Sequence, residues 1–266
     1  MLWEALPLYL AAGAVAGVLA GLLGVGGGLV IVPALAWLFS RQGVAAEVIM
    51  PLALGSSLAT IVVTSISSTL AHHRRGAVRW ALVALLAPGL LVGTWGGAQL
   101  ADLLGSGVLK RIFALFEIAV AVKMVSGWGP RPADRRPGRP AAIGGGLTIG
   151  VVSALVGIGG GTLTVPFLSW YGVPMANAVA TSAACGLPIA LAGATGYLFA
   201  GLDAASLPPA ATGFLYWPAI LGIVSASALT APLGARIAHA IDPRRLRLAF
   251  AGFLFLIGVW MGVGSL

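Results

Sequence analysis

The stretch LAGLLGVGGGLVIVP at residues 19–33 returns, almost position for position, as VSALVGIGGGTLTVP at residues 152–166. Both copies place Gly-x-Gly-Gly-Gly inside an apolar run, where glycine weakens a helix and frees the backbone to leave helical geometry. A duplicated apolar half with a helix break in corresponding places is typical of secondary transporters, whose binding sites lie where such breaks meet. The repeat therefore predicts a transporter site between the two glycine runs.

The composition is that of an integral membrane protein. Hydrophobic residues make up 59% of the chain and charged residues 8%, whereas soluble domains carry about 25% charged residues. Apolar stretches long enough to cross about 30 Å of hydrocarbon recur along the chain. We therefore predict a multi-pass protein of the cytoplasmic (inner) membrane that contacts membrane lipid. We assign the net charge of +8 to its loops and expect no nucleic-acid partner.

A second match marks the ends of the two halves, because seven positions of residues 97–124 match residues 234–261 at an offset of 137. Each half divides into five apolar segments, so we predict an all-α polytopic membrane protein made of two repeats. Residues 1–126 form the first transmembrane repeat, 127–141 a cytoplasmic linker rich in proline and arginine, and 142–266 the second repeat. The predicted segments of the first half are about 6–23, 29–39, 48–71, 78–100 and 108–125. Those of the second half are about 142–156, 163–171, 177–199, 210–237 and 246–263.

Basic residues set the expected orientation. If the first two segments of each half make one broken crossing, the fifteen Lys and Arg residues divide eight to seven across the membrane. If those segments make no net crossing, twelve lie on one side and only Arg41, Lys110 and Arg111 lie opposite, which follows the positive-inside rule. We therefore predict inverted repeats with both termini outside. Whether each early pair of glycine-broken segments is re-entrant or makes two full crossings stays open, because the parity is the same.

The glycine runs supply the first candidate binding groups. A helix that starts just after Gly28 or Gly161 presents unpaired N–H groups and a partial positive charge, and two such ends facing each other near the membrane centre would favour a small anion. The alternative is that glycine only permits close helix packing. Thr162 and Thr164 add hydroxyls in the second copy. The predicted substrate-binding residues of the two runs are Gly26, Gly27, Gly28, Gly159, Gly160, Gly161 and Thr162.

Hydroxyl residues in the third segment of each half are the second candidate group. Ser56 and Ser57 correspond to Thr181 and Ser182, and all four lie in apolar surroundings. Hydroxyls of this kind can coordinate an oxyanion without a full charge, which suits a substrate that must also be released. Ordinary hydrogen bonding between helices is an equally open alternative.

One ionisable side chain, Glu117, lies well inside a predicted span and is therefore a candidate for proton coupling. Its counterpart in the second half is Leu254, so pairing of Glu117 with a buried backbone or hydroxyl group is equally compatible with the sequence. The chain has a single cysteine, Cys185, and neither glycine run is followed by a P-loop lysine. We therefore predict no enzyme activity, no cofactor and no metal site.

These motifs resemble those of the TauE/SafE sulfite exporter family of membrane transporters. The resemblance rests on GLLGVGGGLVIVP at residues 21–33, its echo ALVGIGGGTLTVP at residues 154–166, and ATS at residues 180–182, and it extends over the whole chain. It implies a secondary transporter that works without ATP and moves sulfite or an organosulfonate such as sulfoacetate. Export across the cytoplasmic membrane is the direction that we expect.

Other functions are compatible with the same residues. A passive anion channel, or an importer of thiosulfate or another small oxyanion, would use the same scaffold. A membrane-embedded enzyme is disfavoured because Glu117 and Cys185 would have to act nearly alone, and a structural subunit is disfavoured by the complete duplication. A homodimer is compatible with the sequence. If the glycine runs form the site, leucine at Gly27 or at Gly160 should abolish transport.

Overall fold

Apolar segments fold into helices throughout the part of the chain that the structure describes. The computed structural model describes residues 2–23, 27–126, 137–238 and 242–264. The helices in these ranges are α1 (Leu2–Leu23), α2 (Gly28–Arg41), α3 (Ala46–Arg74), α4 (Trp80–Ser126), α5 (Arg139–Val156), α6 (Gly161–Trp170), α7 (Met175–Ala200), α8 (Trp217–Ala238) and α9 (Pro243–Val263). By length and composition, five of the described helices can cross a membrane, namely α3, α5, α7, α8 and α9. The predicted all-helical polytopic class is confirmed.

The helix bounds follow the predicted segments with three differences. Gly105, with φ 70° and ψ 161°, divides α4 into an N-terminal arm (80–104) and a C-terminal arm (106–126), which hold two predicted segments. The segment predicted from Ala210 begins instead with a small antiparallel hairpin of β1 (Ala211–Thr212) and β2 (Leu215–Tyr216), and α8 starts only at Trp217. Ala210 and Gly213 have φ angles of 69° and 54°, outside the helical region, so the helix does not start before this turn. Helix α5 begins at Arg139, so the last three residues of the predicted linker are helical; residues 127–136 lie outside the described ranges.

Helices α1 and α2 run antiparallel to each other. The hydroxyl of Tyr9, near the start of α1, donates to Oε1 of Gln42, just past the end of α2, at 2.8 Å. The Tyr9 ring also lies 6.5 Å from the Phe39 ring. Helix α2 has 14 residues and α6 has 10, so they rise about 21 Å and about 15 Å. Each glycine break is thus followed by a helix that is too short to cross about 30 Å of hydrocarbon.

The first helix of each half packs along the fourth helix of the other half. Helix α1 contacts α8, and α5 contacts the N-terminal arm of α4. A Cβ at Gly17 would lie 2.7 Å from the Ser227 carbonyl oxygen, and a Cβ at Gly150 would lie 2.7 Å from the Leu90 carbonyl oxygen. Gly17 corresponds to Gly150, and Leu90 to Ser227, at the two offsets found in the sequence. Corresponding residues therefore make both close approaches, and α3 and α7, the third helices of the two halves, also pack against each other.

Candidate functional site

The two glycine breaks are in direct contact. A Cβ at Gly28, the first residue of α2, would collide with the Gly157 carbonyl oxygen and lie 3.0 Å from Ile158 Cα. Gly157 follows α5 in the left-handed conformation, with φ 70° and ψ 34°. The buried Ser57 hydroxyl on α3 donates to the same Gly157 carbonyl oxygen at 2.8 Å. The Gly157 carbonyl oxygen, which belongs to the second break, therefore contacts both Gly28 at the first break and Ser57 on α3.

The second break continues through three glycines to the start of α6. Gly160 is left-handed, with φ 76° and ψ −8°. A Cβ there would collide with the Ile189 side chain and lie 3.2 Å from Thr164 Oγ1. A Cβ at Gly159 would lie 2.9 Å from an Ile61 methyl carbon. An L side chain at Gly160 would thus meet both backbone strain and a filled space.

Three buried hydroxyl oxygens that flank the second break have no hydrogen-bond partner within the described part of the chain. They belong to Ser153, in the last turn of α5, and to Thr162 and Thr164, in the first turn of α6. Ser153 and Thr164 are fully buried. Buried polar atoms are nearly always paired in proteins, so three unpaired hydroxyls at a single break are candidate donors to a group that the chain does not supply. The free N–H groups at the start of α6 add a positive potential there.

The charge of this region comes from partial charges. Among the carboxyl and basic side chains whose burial the structure describes, Glu117 is the one that is buried, and it lies at another contact. The second break therefore offers hydroxyl and backbone N–H donors, and none of the lysine or arginine side chains of described burial is buried beside them. Such a set can bind an anion that accepts several hydrogen bonds at once.

Ser56 and Thr181 connect the two halves. The Ser56 hydroxyl accepts a hydrogen bond from the Tyr216 N–H at 2.9 Å, and the Thr181 hydroxyl accepts one from the Arg79 N–H at 3.1 Å. Tyr216 directly precedes α8, and Arg79 directly precedes α4. In this conformation the two hydroxyls anchor the starts of corresponding helices, which is the hydrogen bonding between helices that the sequence left open as an alternative.

The remaining predicted site residues are placed as follows. Gly27 caps α2, and its carbonyl oxygen accepts from the N–H groups of Val30 and Ile31 at 3.0 and 2.9 Å. Ser182 is buried, with 2% of its surface exposed. Gly161 begins α6. Gly26 lies outside the described residues.

Sequence reasoning missed Gly157 and Ser153, and it named Thr164 without including it in the site. Gly157 is the residue through which the breaks touch, and it corresponds to Gly24 at the offset of 133. That duplicated glycine, two positions before each Gly-Gly-Gly, was the available signal. Nothing in the sequence singled out Ser153, because its importance depends on a hydroxyl that finds no partner in the tertiary structure.

Glu117 lies where the C-terminal arm of α4 contacts α9. It is fully buried, and neither carboxyl oxygen has a hydrogen-bond partner among the described residues. A Cβ at Gly258 of α9 would lie 3.3 Å from Glu117 Cβ, and the counterpart residue Leu254 is also buried. The backbone or hydroxyl partner that the sequence left open is thus not found in the described ranges.

Comparison with known proteins gives matches of nearly full length. The sulfite exporter TauE/SafE family model matches residues 9–261, from α1 to α9. The chain is 36% identical to a probable membrane transporter protein of Haemophilus influenzae over 255 residues, which cover 96% of this chain and 97% of that protein. It is 28% identical to a probable membrane transporter protein of Methanocaldococcus jannaschii, covering 96% and 95% of the two chains. It is also 28% identical to the probable membrane transporter protein YunE of Bacillus subtilis, covering 92% and 93%.

No solved structure matches the chain. The family match includes both glycine breaks, the α3 and α7 hydroxyls and Glu117. With apolar helices long enough to span a membrane and relatives of the same length that are probable membrane transporters, the chain belongs to the TauE/SafE sulfite exporter family of multi-pass membrane transporters.

Proposed function

We propose that the protein is a secondary transporter that exports a small sulfur-containing anion, sulfite or an organosulfonate such as sulfoacetate, across the cytoplasmic membrane. The observation that carries this proposal is the second break, where three buried hydroxyls without partners flank the start of α6. Sulfite and sulfonate groups have several oxygens that accept hydrogen bonds and none that needs an acceptor when ionised. Hydroxyl and N–H donors are the matching groups.

None of the described lysine and arginine side chains is buried beside the break, which favours turnover. A buried guanidinium or ammonium group would hold an oxyanion by charge-assisted hydrogen bonds, which are about twice as strong as neutral ones. Neutral donors and a helix dipole bind less tightly, so the anion can leave on the far side of the membrane. Discrimination then depends on the number and direction of the donors.

Inverted repeats with both termini outside are the architecture that we propose for this transport. Three observations support it: the basic residues divide twelve to three when the early segments make no net crossing, α1 and α2 form an antiparallel hairpin, and corresponding glycines pack both first helices. We favour re-entrant hairpins because α2 and α6 are too short to span the hydrocarbon. The site then lies where the two hairpins touch, reached from one side at a time.

Uptake into proteoliposomes tests the function. Sulfite, sulfoacetate, thiosulfate and sulfate would be offered with and without an imposed pH gradient. We expect saturable flux and counter-flow of sulfite or sulfoacetate. Conductance without saturation would instead indicate a channel, flux of thiosulfate alone would change the substrate, and no flux with folded protein would remove the sulfur-anion assignment.

Thr164→Val should raise the KM for the transported anion at least about 10-fold and leave the unfolding temperature unchanged or slightly higher. Valine has the shape of threonine, and the hydroxyl that it replaces has no partner in the described protein. The substitution therefore removes only a hydrogen bond to the bound anion, and a hydrogen bond to a charged group contributes about 1.5–3 kcal/mol to binding. Uptake kinetics and thermal unfolding check both parts.

Thr195→Val is the matched control, because the Thr195 hydroxyl is bound to the Leu191 carbonyl oxygen of its own helix at 2.7 Å and is exposed. Its KM should stay at the wild-type value. Equal KM values in Thr164→Val and the wild type would exclude Thr164 from the site.

Glu117→Gln should flatten the pH dependence of transport if this carboxyl carries the coupling proton. The facing residue on α9 is Gly258, and the charged residues of α9 lie in its first turns, eleven or more positions before Gly258. On α4 itself, the nearest basic residues are Lys123 and Arg111, each six positions from Glu117. A neutral amide of the same shape removes the proton and leaves the packing. The control is Glu47→Gln, at an exposed carboxyl, and an unchanged profile in Glu117→Gln would assign Glu117 a structural role.

A further inference from the structure

An open apolar groove of about 420 Å³ lies between α1, α2 and α9. Aliphatic and aromatic side chains line it, among them Ala12, Val15, Ala34, Trp37 and Trp260. Val15, Trp37 and Trp260 are exposed. A groove of this volume is in the range that holds one small molecule or chain.

The second half of the chain fills the corresponding space with its own side chain. Ala34 corresponds to Phe167, and Ala12 corresponds to Gly145, at the offset of 133. The Phe167 ring packs against Gly145 so closely that a Cβ there would collide with it, and the Tyr171 ring lies 5.1 Å from the Phe167 ring. The fold therefore does not require a groove at this place; alanine at position 34 leaves it open.

A cation stands at one end of the groove in the first half only. The guanidinium carbon of Arg41, the last residue of α2, lies 5.4 Å from the centroid of the Trp37 ring, which lines the groove. Arg41 is exposed and forms no ion pair within the described ranges. The corresponding residue of the second half is Pro174. Indole rings favour the membrane–water interface, so this end of the groove is expected at the level of the lipid headgroups.

We propose that the groove binds one acyl chain of an anionic phospholipid whose phosphate contacts Arg41. An arginine stacked on an indole ring remains free to donate two parallel hydrogen bonds to phosphate oxygens. The apolar walls of the groove contact the acyl chain in place of neighbouring lipids. A second copy of the protein is a poorer occupant, because it carries the same net charge of +8. This inference does not depend on which anion is transported.

Native mass spectrometry of the purified protein tests the proposal with phosphatidylglycerol and phosphatidylcholine of identical acyl chains. We expect the wild type to bind phosphatidylglycerol at least about 5-fold more tightly. Ala34→Phe, which copies the side chain that the second half uses, should weaken phosphatidylglycerol binding about 10-fold or more and leave the unfolding temperature near the wild-type value. Arg41→Gln should retain chain binding and lose the preference for the anionic lipid.

Ala119→Phe, at an exposed alanine of α4, is the control and should bind both lipids as the wild type does. Equal affinity of the wild type for the two lipids would overturn the role of Arg41. Wild-type lipid binding by Ala34→Phe would overturn the groove as the site. A dimer that dissociates in Ala34→Phe, with no change in bound lipid, would show that the occupant is a second copy of the chain. Arg41→Gln keeps the proposal falsifiable if Ala34→Phe does not fold.

Discussion

Gly160→Leu should lower the initial rate of anion uptake at least about 100-fold, while Gly144→Leu should transport near the wild-type rate. Gly160 has φ 76°, where an L residue costs about 1–2 kcal/mol. Its side chain would also enter the space between Ile189 and Thr164, in front of the first turn of α6. Gly144 lies on α5 with nothing within 4 Å of an added Cβ, so leucine there meets open space.

The rate must be measured per folded protein in proteoliposomes, because Gly160→Leu also strains the backbone. Size-exclusion chromatography of each variant supplies the folded fraction. Wild-type flux in folded Gly160→Leu protein would remove the second break from the mechanism.

At the first break, alanine substitutions at the neighbouring glycines Gly27 and Gly28 should affect transport to different extents. A Cβ at Gly28 would collide with the Gly157 carbonyl oxygen, which belongs to a backbone that cannot move aside alone. A Cβ at Gly27 would meet only side-chain carbons, with Ile31 Cδ1 at 2.9 Å and Ala16 Cβ at 3.9 Å, and Gly27 has an ordinary helical φ of −71°. Alanine at Gly28 should therefore reduce transport more than alanine at Gly27, in the same assay.

Gly17→Leu and Gly150→Leu should each destabilise the folded protein by about 3 kcal/mol, the upper part of the range for overpacked sites. Both glycines face the backbone of a neighbouring helix: Ser227 Cα lies 2.7 Å from a Cβ at Gly17, and the Thr94 N–H nitrogen lies 2.7 Å from a Cβ at Gly150. A change of rotamer can relieve a clash with a side chain but not a clash with a helix backbone. Thermal or denaturant unfolding in detergent measures the effect, with Gly144→Leu on α5 as the control.

Equal losses in the two variants would establish that the α1–α8 and α4–α5 contacts are energetically equivalent. Loss in Gly17→Leu alone, with Gly150→Leu as stable as the wild type, would show that only one of the two interfaces carries this close packing. The comparison is independent of transport, so it tests the duplicated packing even if the substrate is another anion.

The sequence by itself determined the membrane class, the helices and the duplication of the breaks. Hydrophobicity and glycine content act locally, because a run of apolar residues must form a helix in lipid wherever it lies in the chain. The family resemblance was likewise carried by contiguous motifs and is confirmed by the full-length match. The late start of α8 was not predicted, because a hairpin of apolar residues such as Phe214 and Leu215 has the hydropathy of a helix.

Only the tertiary structure decided which of these residues are in contact and which hydroxyls are without a partner. Gly28 and Gly157 are in contact although 129 positions separate them. The Ser56 hydroxyl accepts a hydrogen bond from a backbone N–H 160 positions away. The open groove depends on Ala34, whose counterpart Phe167 closes the same space. Residues that are distant in the chain determine whether a hydroxyl has a hydrogen-bond partner and how much space lies beside a glycine. A local pattern contains no information on those distances, so they appear only once the helices are packed.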